Sequence, residues 1–207
     1  GRADGTTTEE RLFDVVDGWT MSGQIDLQET DKGLVLSDWK LTSCWSVMSG
    51  KSAWTNQLNL YRWLAERKKG PVSGLQVIAF LRDWNKRDAE KPDNIARGYP
   101  PAPMKVVPVT MWPMEDADRY VRERVKLHQL AAIESEMGAE PPPCSAEERW
   151  AKEPKWICIK PGAEKATRVF ADEKDAREYA GSRPGLVVEK RVAPPARCSG
   201  GSGGWCR

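Results

Sequence analysis

The chain predicts a mixed α/β fold: a mixed central β-sheet flanked by helices, followed by a small C-terminal α/β extension. Three observations predict it. Strand-like segments fill the first forty residues, with a tight turn between the second and third. One long helical period then leads into LQVIAFLRDW (75–84), a run apolar enough for a central strand. Beyond PPPC (141–144) a second, shorter set of strand, helix and strand signals begins.

Taken in order, EERLFDVV (9–16) reads as a first strand and WTMSGQIDLQ (19–28) as a second. The turn lies in ETDKG, where Gly33 supplies the permissive backbone. LVLSDWK (34–40) is a third strand, and a polar link follows. A helix runs from about Ser52 to Lys69 with Leu58, Tyr61, Leu64 and Ala65 at helical spacing, and Gly70-Pro71 stops it. Residues 85–104 are charged and Pro-rich and read as a surface loop. VVPVTMW (106–112) is a short strand whose proline assigns it to a sheet edge. Residues 114–137 form a long helix with an acidic start that suits its dipole. Ser145 and Glu148 stand at capping-box spacing. In the extension, WICIK is a strand, PGAEKA a turn, DEKDAREYAGS a helix and LVVEKRV a strand. The boundaries read as a core over 1–138, an extension over 139–197, and a Gly/Ser-rich tail over 198–207.

The totals exclude several classes. A length of 207 residues suits one ordinary domain with a real core. A net charge of +2 argues against a protein that coats nucleic acid by charge alone, while leaving room for a basic groove. No apolar run is long enough to span a membrane, and no signal peptide is visible. The chain does not begin with Met, which is what a fragment lacking upstream residues would show. Five cysteines, odd in number and scattered, read as mainly reduced thiols of a cytosolic protein.

The hairpin GWTMSGQIDLQETDKGLVLSDWKLTS (18–43) carries charge where a core-facing strand should exclude it. With the turn centred near residue 32, opposed residues sum to about 64. Asp26 then faces Asp38, and Lys40 shares a face with Asp38 because side chains two apart point the same way. A slip of one residue would separate them. Two close carboxylates raise each other's pKa unless positive charge sits between them. A divalent ion such as Mg²⁺ supplies that charge and keeps coordination sites for water and phosphate oxygens. The set suits phosphodiester hydrolysis, although a lone D-x-K is more often a surface ion pair.

GQID (23–26), DWK (38–40) and QLNLY (57–61), taken together and in this order, resemble the PD-(D/E)xK nuclease superfamily in its RecB-like, phage-exonuclease branch. The resemblance covers roughly residues 9–84 and implies a restriction-endonuclease-like sheet. It further implies that Asp26 and Asp38 are metal ligands, with the backbone carbonyl of Trp39 completing the shell, and that Lys40 is the catalytic lysine. Gln57 and Tyr61, one helical turn apart, would face the site: Gln57 to position water or phosphate, Tyr61 to contact DNA or brace the site. The upstream acid of the family would be Glu9 or Glu10, with Glu9 favoured by E-x-R-L-F. The histidine that many such nucleases carry in N-terminal helices has no counterpart, since the single histidine, His128, falls in the late helix and reads as an ordinary helix residue.

Around this set, Arg62, Arg82, Lys86 and Arg87 are candidates for phosphate contacts. Trp45 and Trp54 flank the site helix, and core packing is the expected use of both, with base stacking the alternative. An iron–sulfur cluster is disfavoured because Cys198 and Cys206 bracket Gly201 where a third late cysteine would stand. A zinc site is disfavoured because no C-x-x-C pair exists. The expected function is a Mg²⁺- or Mn²⁺-dependent deoxyribonuclease, an exonuclease of phage DNA recombination or processing. DNA is its expected substrate, a single-strand annealing or recombination protein a partner, and the bacterial host cytoplasm its place. The alternatives are a structure-selective endonuclease on the same core and a catalytically silent DNA-binding module.

Overall fold

Two antiparallel strands, β1 (Thr6–Val16) and β2 (Trp19–Glu29), meet at a two-residue Asp17-Gly18 turn, with Val16 opposite Trp19. β3 (Leu34–Thr42) returns antiparallel to β2, and its ladder pairs Leu27 with Ser37, Gln28 with Leu36 and Glu29 with Val35. Each pair sums to 64, the expected register. Gly33 sits at φ 101° at the turn, a conformation that costs glycine little. This computed structural model describes residues 5–139, 145–146, 149 and 151–192.

The chain next makes a short helix, α1 (Cys44–Ser49), and a long one, α2 (Ser52–Lys68). It then re-enters the sheet as β4 (Val72–Leu81), parallel to β3. Two further short helices, α3 (Lys86–Ala89) and α4 (Pro92–Ala96), precede β5 (Met104–Pro108), which pairs antiparallel with β4. The five strands stand in the order β1-β2-β3-β4-β5, so the sheet is mixed and β5 is an edge, as Pro108 requires. α5 (Met114–Glu136) follows.

One hydrophobic core joins these elements. Ile25, Leu36, Val77 and Ala79 of the sheet meet Leu58, Trp63, Leu64 and Ala65 of α2 and Ala117 and Val121 of α5. Asn59 sits in this core fully satisfied. Its amide donates to the carbonyls of Thr55 and Thr110, and its oxygen accepts from Trp112 N–H at 2.8 Å. It thereby ties α2 to the link between β5 and α5.

The observed elements differ from the expected ones in several places, among them β5, which spans Met104–Pro108 where the sequence suggests 106–112. The link after the third strand holds α1, which Ser43 caps by accepting from Ser46 N–H. The loop at 85–104 holds α3 and α4, whose few residues give too little period to read. β4 begins at Val72 and ends at Leu81, because Gly74 keeps the ladder with Val35 and the chain turns after Arg82.

The chain divides into two compact units, Gly1–Ala139 and Glu140–Arg207. The second contains β6 (Lys155–Ile159), β7 (Arg168–Phe170), α6 (Glu173–Gly181) and β8 (Val187–Arg191). Its strands are ordered β7-β6-β8, all antiparallel, around buried Ile157, Cys158, Ile159 and Ala176. β7 was not expected, being only three residues long. Cys44 and Cys158 are free thiols, both buried. The capping pair Ser145/Glu148, Cys144, and the tail with Cys198, Gly201 and Cys206 fall wholly or partly outside the described residues. Among the described residues no helix is long and apolar enough to cross a membrane.

Candidate active site

The site forms where β2 and β3 part. Their ladder runs from Glu29–Val35 to Leu27–Ser37 and stops there. The next opposed pair in that register is Asp26 and Asp38. Instead of a ladder bond, the Trp39 N–H donates to Asp26 Oδ2 at 2.9 Å. The Asp26 carboxylate thus satisfies a backbone donor that the opening would otherwise strand.

The burial pattern of β2 records the same distortion. Gly23 and Ile25 are buried in alternation, then one extra residue intervenes before buried Gln28. On β1 the disturbance falls at Glu9, which adopts φ 54°. The flanking pairs Thr8–Leu27 and Glu10–Ile25 bracket Glu9 against Asp26, yet no pairing joins those two residues. Paired irregularities of this kind bend strands and re-aim side chains.

Asp38 is the buried member, with 2 % side-chain exposure against 28 % for Lys40. Lys40 Nζ stands 2.6 Å from Asp38 Oδ2. The contact is a short ion pair whose angles fall short of a well-aligned hydrogen bond. Lys40 Nζ donates to Gln57 Oε1 at 3.0 Å, and Gln57 Nε2 donates to the Tyr61 hydroxyl at 2.8 Å. That amide orientation is the one an ammonium demands, since it can only donate. Burial pushes the Asp38 carboxyl above its ordinary range; Lys40 opposes this, and the nearby Asp26 adds to it.

Tyr61 reaches this position because β2 lacks a side chain beneath it. A Cβ on Gly23 would stand 2.9 Å from two carbons of the Tyr61 ring and 3.0 Å from Leu64 Cδ1. Gly23 and Tyr61, the outer residues of GQID and QLNLY, are therefore packing partners.

The other candidates are placed differently. Glu9 accepts from the Gln24 amide, and Glu10 binds Gln28 and Lys69. Among the described residues no three His, Cys, Asp or Glu side chains form a metal-sized cluster, so neither glutamate joins the two aspartates. The side chain of Trp39 points away from Lys40 and is 48 % exposed, leaving only its backbone near the site. Arg62 is committed to the fold: Nε donates to Glu66 and a terminal nitrogen to the Trp112 carbonyl, each at 2.6 Å. Arg82, Lys86 and Arg87 are exposed beyond the end of β4. Trp54 is buried as expected, whereas Trp45 is 71 % exposed. His128 is an exposed residue of α5. A cleft of about 780 Å³ between α2 and α5 is lined by none of the site residues.

No protein-family model matches this chain, and neither a curated protein nor a solved structure does.

Proposed function

We propose that this chain is a metal-dependent nuclease that hydrolyses DNA phosphodiester bonds. We infer an exonuclease on a restriction-endonuclease-like core of the PD-(D/E)xK type. One observation carries the reading: a buried carboxylate, Asp38, stands beside a second carboxylate and a lysine held by Gln57 and Tyr61. A core does not accumulate such groups for stability, because a desolvated ion pair with an unsatisfied oxygen is costly.

The donor set fits a hard divalent cation. Asp38 Oδ2 is buried against the Lys40 ammonium without an aligned hydrogen bond, and the Asp26 carboxylate lies near enough to raise the Asp38 pKa further. Mg²⁺ is commonly held by one or two carboxylates, with waters and substrate oxygens in the remaining positions. Asp26, Asp38 and the Trp39 carbonyl would hold it. When bound, the ion supplies positive charge to the phosphoryl oxygens.

The rest is the work of this chain's own groups. Lys40 offers its remaining protons to the attacking water or to a non-bridging oxygen, where negative charge grows. Gln57 fixes the ammonium and Tyr61 fixes Gln57, so Lys40 needs little reorganisation during reaction. The water oxygen bonds to phosphorus as the bond to the leaving sugar oxygen breaks. The water's proton passes to solvent, and the leaving oxygen takes one up.

The test is digestion of end-labelled linear duplex and single-stranded DNA beside a closed circle, with Mg²⁺, with Mn²⁺ and with EDTA. Loss of linear DNA alone, dependent on metal and abolished in Lys40→Ala, is the expected result. Nicking of the circle would reassign the protein as an endonuclease. Absence of cleavage in every condition would sink the reading.

A further inference from the structure

Trp45 is the most exposed tryptophan among the described residues. Its position follows from the mount beneath it. On α1, Cys44, Ser46 and Val47 are buried and turn that side of the helix into the core. Trp45 projects from the other side. The mount is fixed at its start, where Ser43 caps the helix and the Cys44 N–H donates to Asp83 Oδ1 at 2.8 Å. An indole held outward from a rigid base gains nothing for the fold.

The surroundings indicate what would cover it. β3 and β4 run parallel and end together, with Thr42 opposite Leu81 and the Arg82 N–H bonded to the Thr42 carbonyl at 3.0 Å. Residues 82–83 therefore lie alongside residues 42–44. Arg82 is exposed there, and exposed Lys86 and Arg87 follow on α3. Lys40 precedes Trp45 by five residues, so at most about 18 Å of extended chain separates their Cα atoms. An exposed aromatic face on a helix whose start abuts the segment carrying exposed Arg82, close to the proposed site for phosphodiesters, matches single-stranded nucleic acid: bases stack on the ring and phosphates meet the cations.

We propose that Trp45 is a stacking seat for an unpaired base at a strand end, with Arg82 taking an adjoining phosphate; the seat rests on the nuclease reading above. The preferred substrate class is then single-stranded ends and overhangs rather than blunt duplex.

The experiment is fluorescence anisotropy in EDTA, using the full chain and labelled single-stranded, overhang and blunt oligonucleotides, alongside hydrolysis assays in Mg²⁺. Loss of one base-stacking contact predicts that Trp45→Ala weakens binding to single strands and overhangs by about 5- to 150-fold. Trp45→Phe, which keeps a ring, retains most of the affinity. Blunt duplex is bound equally by all three. Arg82→Ala lowers the slope of log affinity against log salt by about one. Because Trp45 is exposed, thermal melting of Trp45→Ala matches the parent.

Unchanged single-strand affinity in Trp45→Ala overturns the proposal, as does equal weakening on all three ligands or a failure of the parent to bind any of them. The two readings fail separately. Trp45-dependent binding without hydrolysis leaves the seat standing and removes the nuclease. Hydrolysis without Trp45-dependent binding does the reverse.

Discussion

Gly23→Ala is the sharpest probe of how the fold makes the site. The added Cβ would stand 2.9 Å from Tyr61 Cδ1 and Cε1 and 3.0 Å from Leu64 Cδ1. Carbon–carbon contacts are comfortable from about 3.5 Å, so the ring must retreat by roughly half an ångström. Leu64 is fully buried and cannot yield outward. Overpacking of this kind costs about 1–3 kcal/mol, which corresponds to a fall in Tm of about 3–10 °C for a domain of this size. The retreat also draws on the Tyr61 hydroxyl, now 2.8 Å from Gln57 Nε2. A bond stretched by that amount sits at the edge of useful geometry. Gln57 then loosens its hold on Lys40. Misplacement by a full ångström can cost about a hundredfold in rate, so a shift of half that size predicts a loss of roughly tenfold in kcat.

The assay pairs thermal melting with single-turnover hydrolysis for Gly23→Ala, Tyr61→Phe and the double variant Gly23→Ala/Tyr61→Ala. Tyr61→Phe keeps the ring and loses only the hydroxyl, so it slows hydrolysis with little change in Tm. In the Tyr61→Ala background the alanine at position 23 has room, and most of its Tm penalty vanishes, a non-additivity expected of touching residues. A Gly23→Ala protein with the parent's Tm and rate would refute the coupling between GQID and QLNLY.

Three further outcomes are expected. Burial lets folded Asp38 keep its proton to higher pH than the unfolded chain does; the protonated acid's contribution to stability is full below the ordinary value of 3.8 and is lost as pH rises through the raised folded pKa. In EDTA, Asp38→Asn therefore melts above the parent at pH 7, and the gap narrows as pH falls toward 3.8; a gap that does not change with pH would contradict this. Mg²⁺ at a hundred times its dissociation constant stabilises the parent by about 2.7 kcal/mol, seen as a rise in Tm by scanning fluorimetry that Asp26→Asn and Asp38→Asn both lack. Arg62→Ala loses charged hydrogen bonds worth about 1–3 kcal/mol in all, so chemical denaturation shows a weaker fold, while DNA affinity of the folded protein stays within twofold; a large affinity loss at constant stability would return Arg62 to the DNA.

The hairpin register was legible because the ETDKG turn, with its permissive Gly33 at φ 101°, fixes which residues of the two strands oppose one another. The sheet edge was legible from a single proline. What escaped were features fixed by tertiary contact. α1 has six residues, less than two turns, and is held by Asp83 from a strand end almost forty residues away. Trp45 and Trp54 look alike in the sequence, and only the helix mounts decide that one is buried and the other exposed. Arg62 stands beside Tyr61 in the sequence, but its guanidinium is consumed by Glu66 and a carbonyl fifty residues on. The contact between Gly23 and Tyr61 lies between two recognisable motifs and is announced by neither. Asn59, in the middle of QLNLY, gave no signal beyond being polar on a buried face.

The opening between β2 and β3 joins stability to chemistry. A continuous ladder through residues 26 and 38 would be the better sheet, with every backbone group paired and no carboxylate desolvated. The chain gives up that ladder and recovers part of the loss by letting Asp26 accept the Trp39 N–H. The carboxylate that heals the backbone is thereby fixed beside Asp38, at the point where burial makes negative charge most costly. Lys40 offsets some of that cost but leaves Asp38 Oδ2 without a well-aligned hydrogen bond. The metal proposed above would offset that remaining cost on binding. On the metal-dependent reading proposed above, metal affinity and the instability of the metal-free protein would be two readings of one local strain, so a substitution that relieves it at Asp38 should stabilise the fold and remove the ion together.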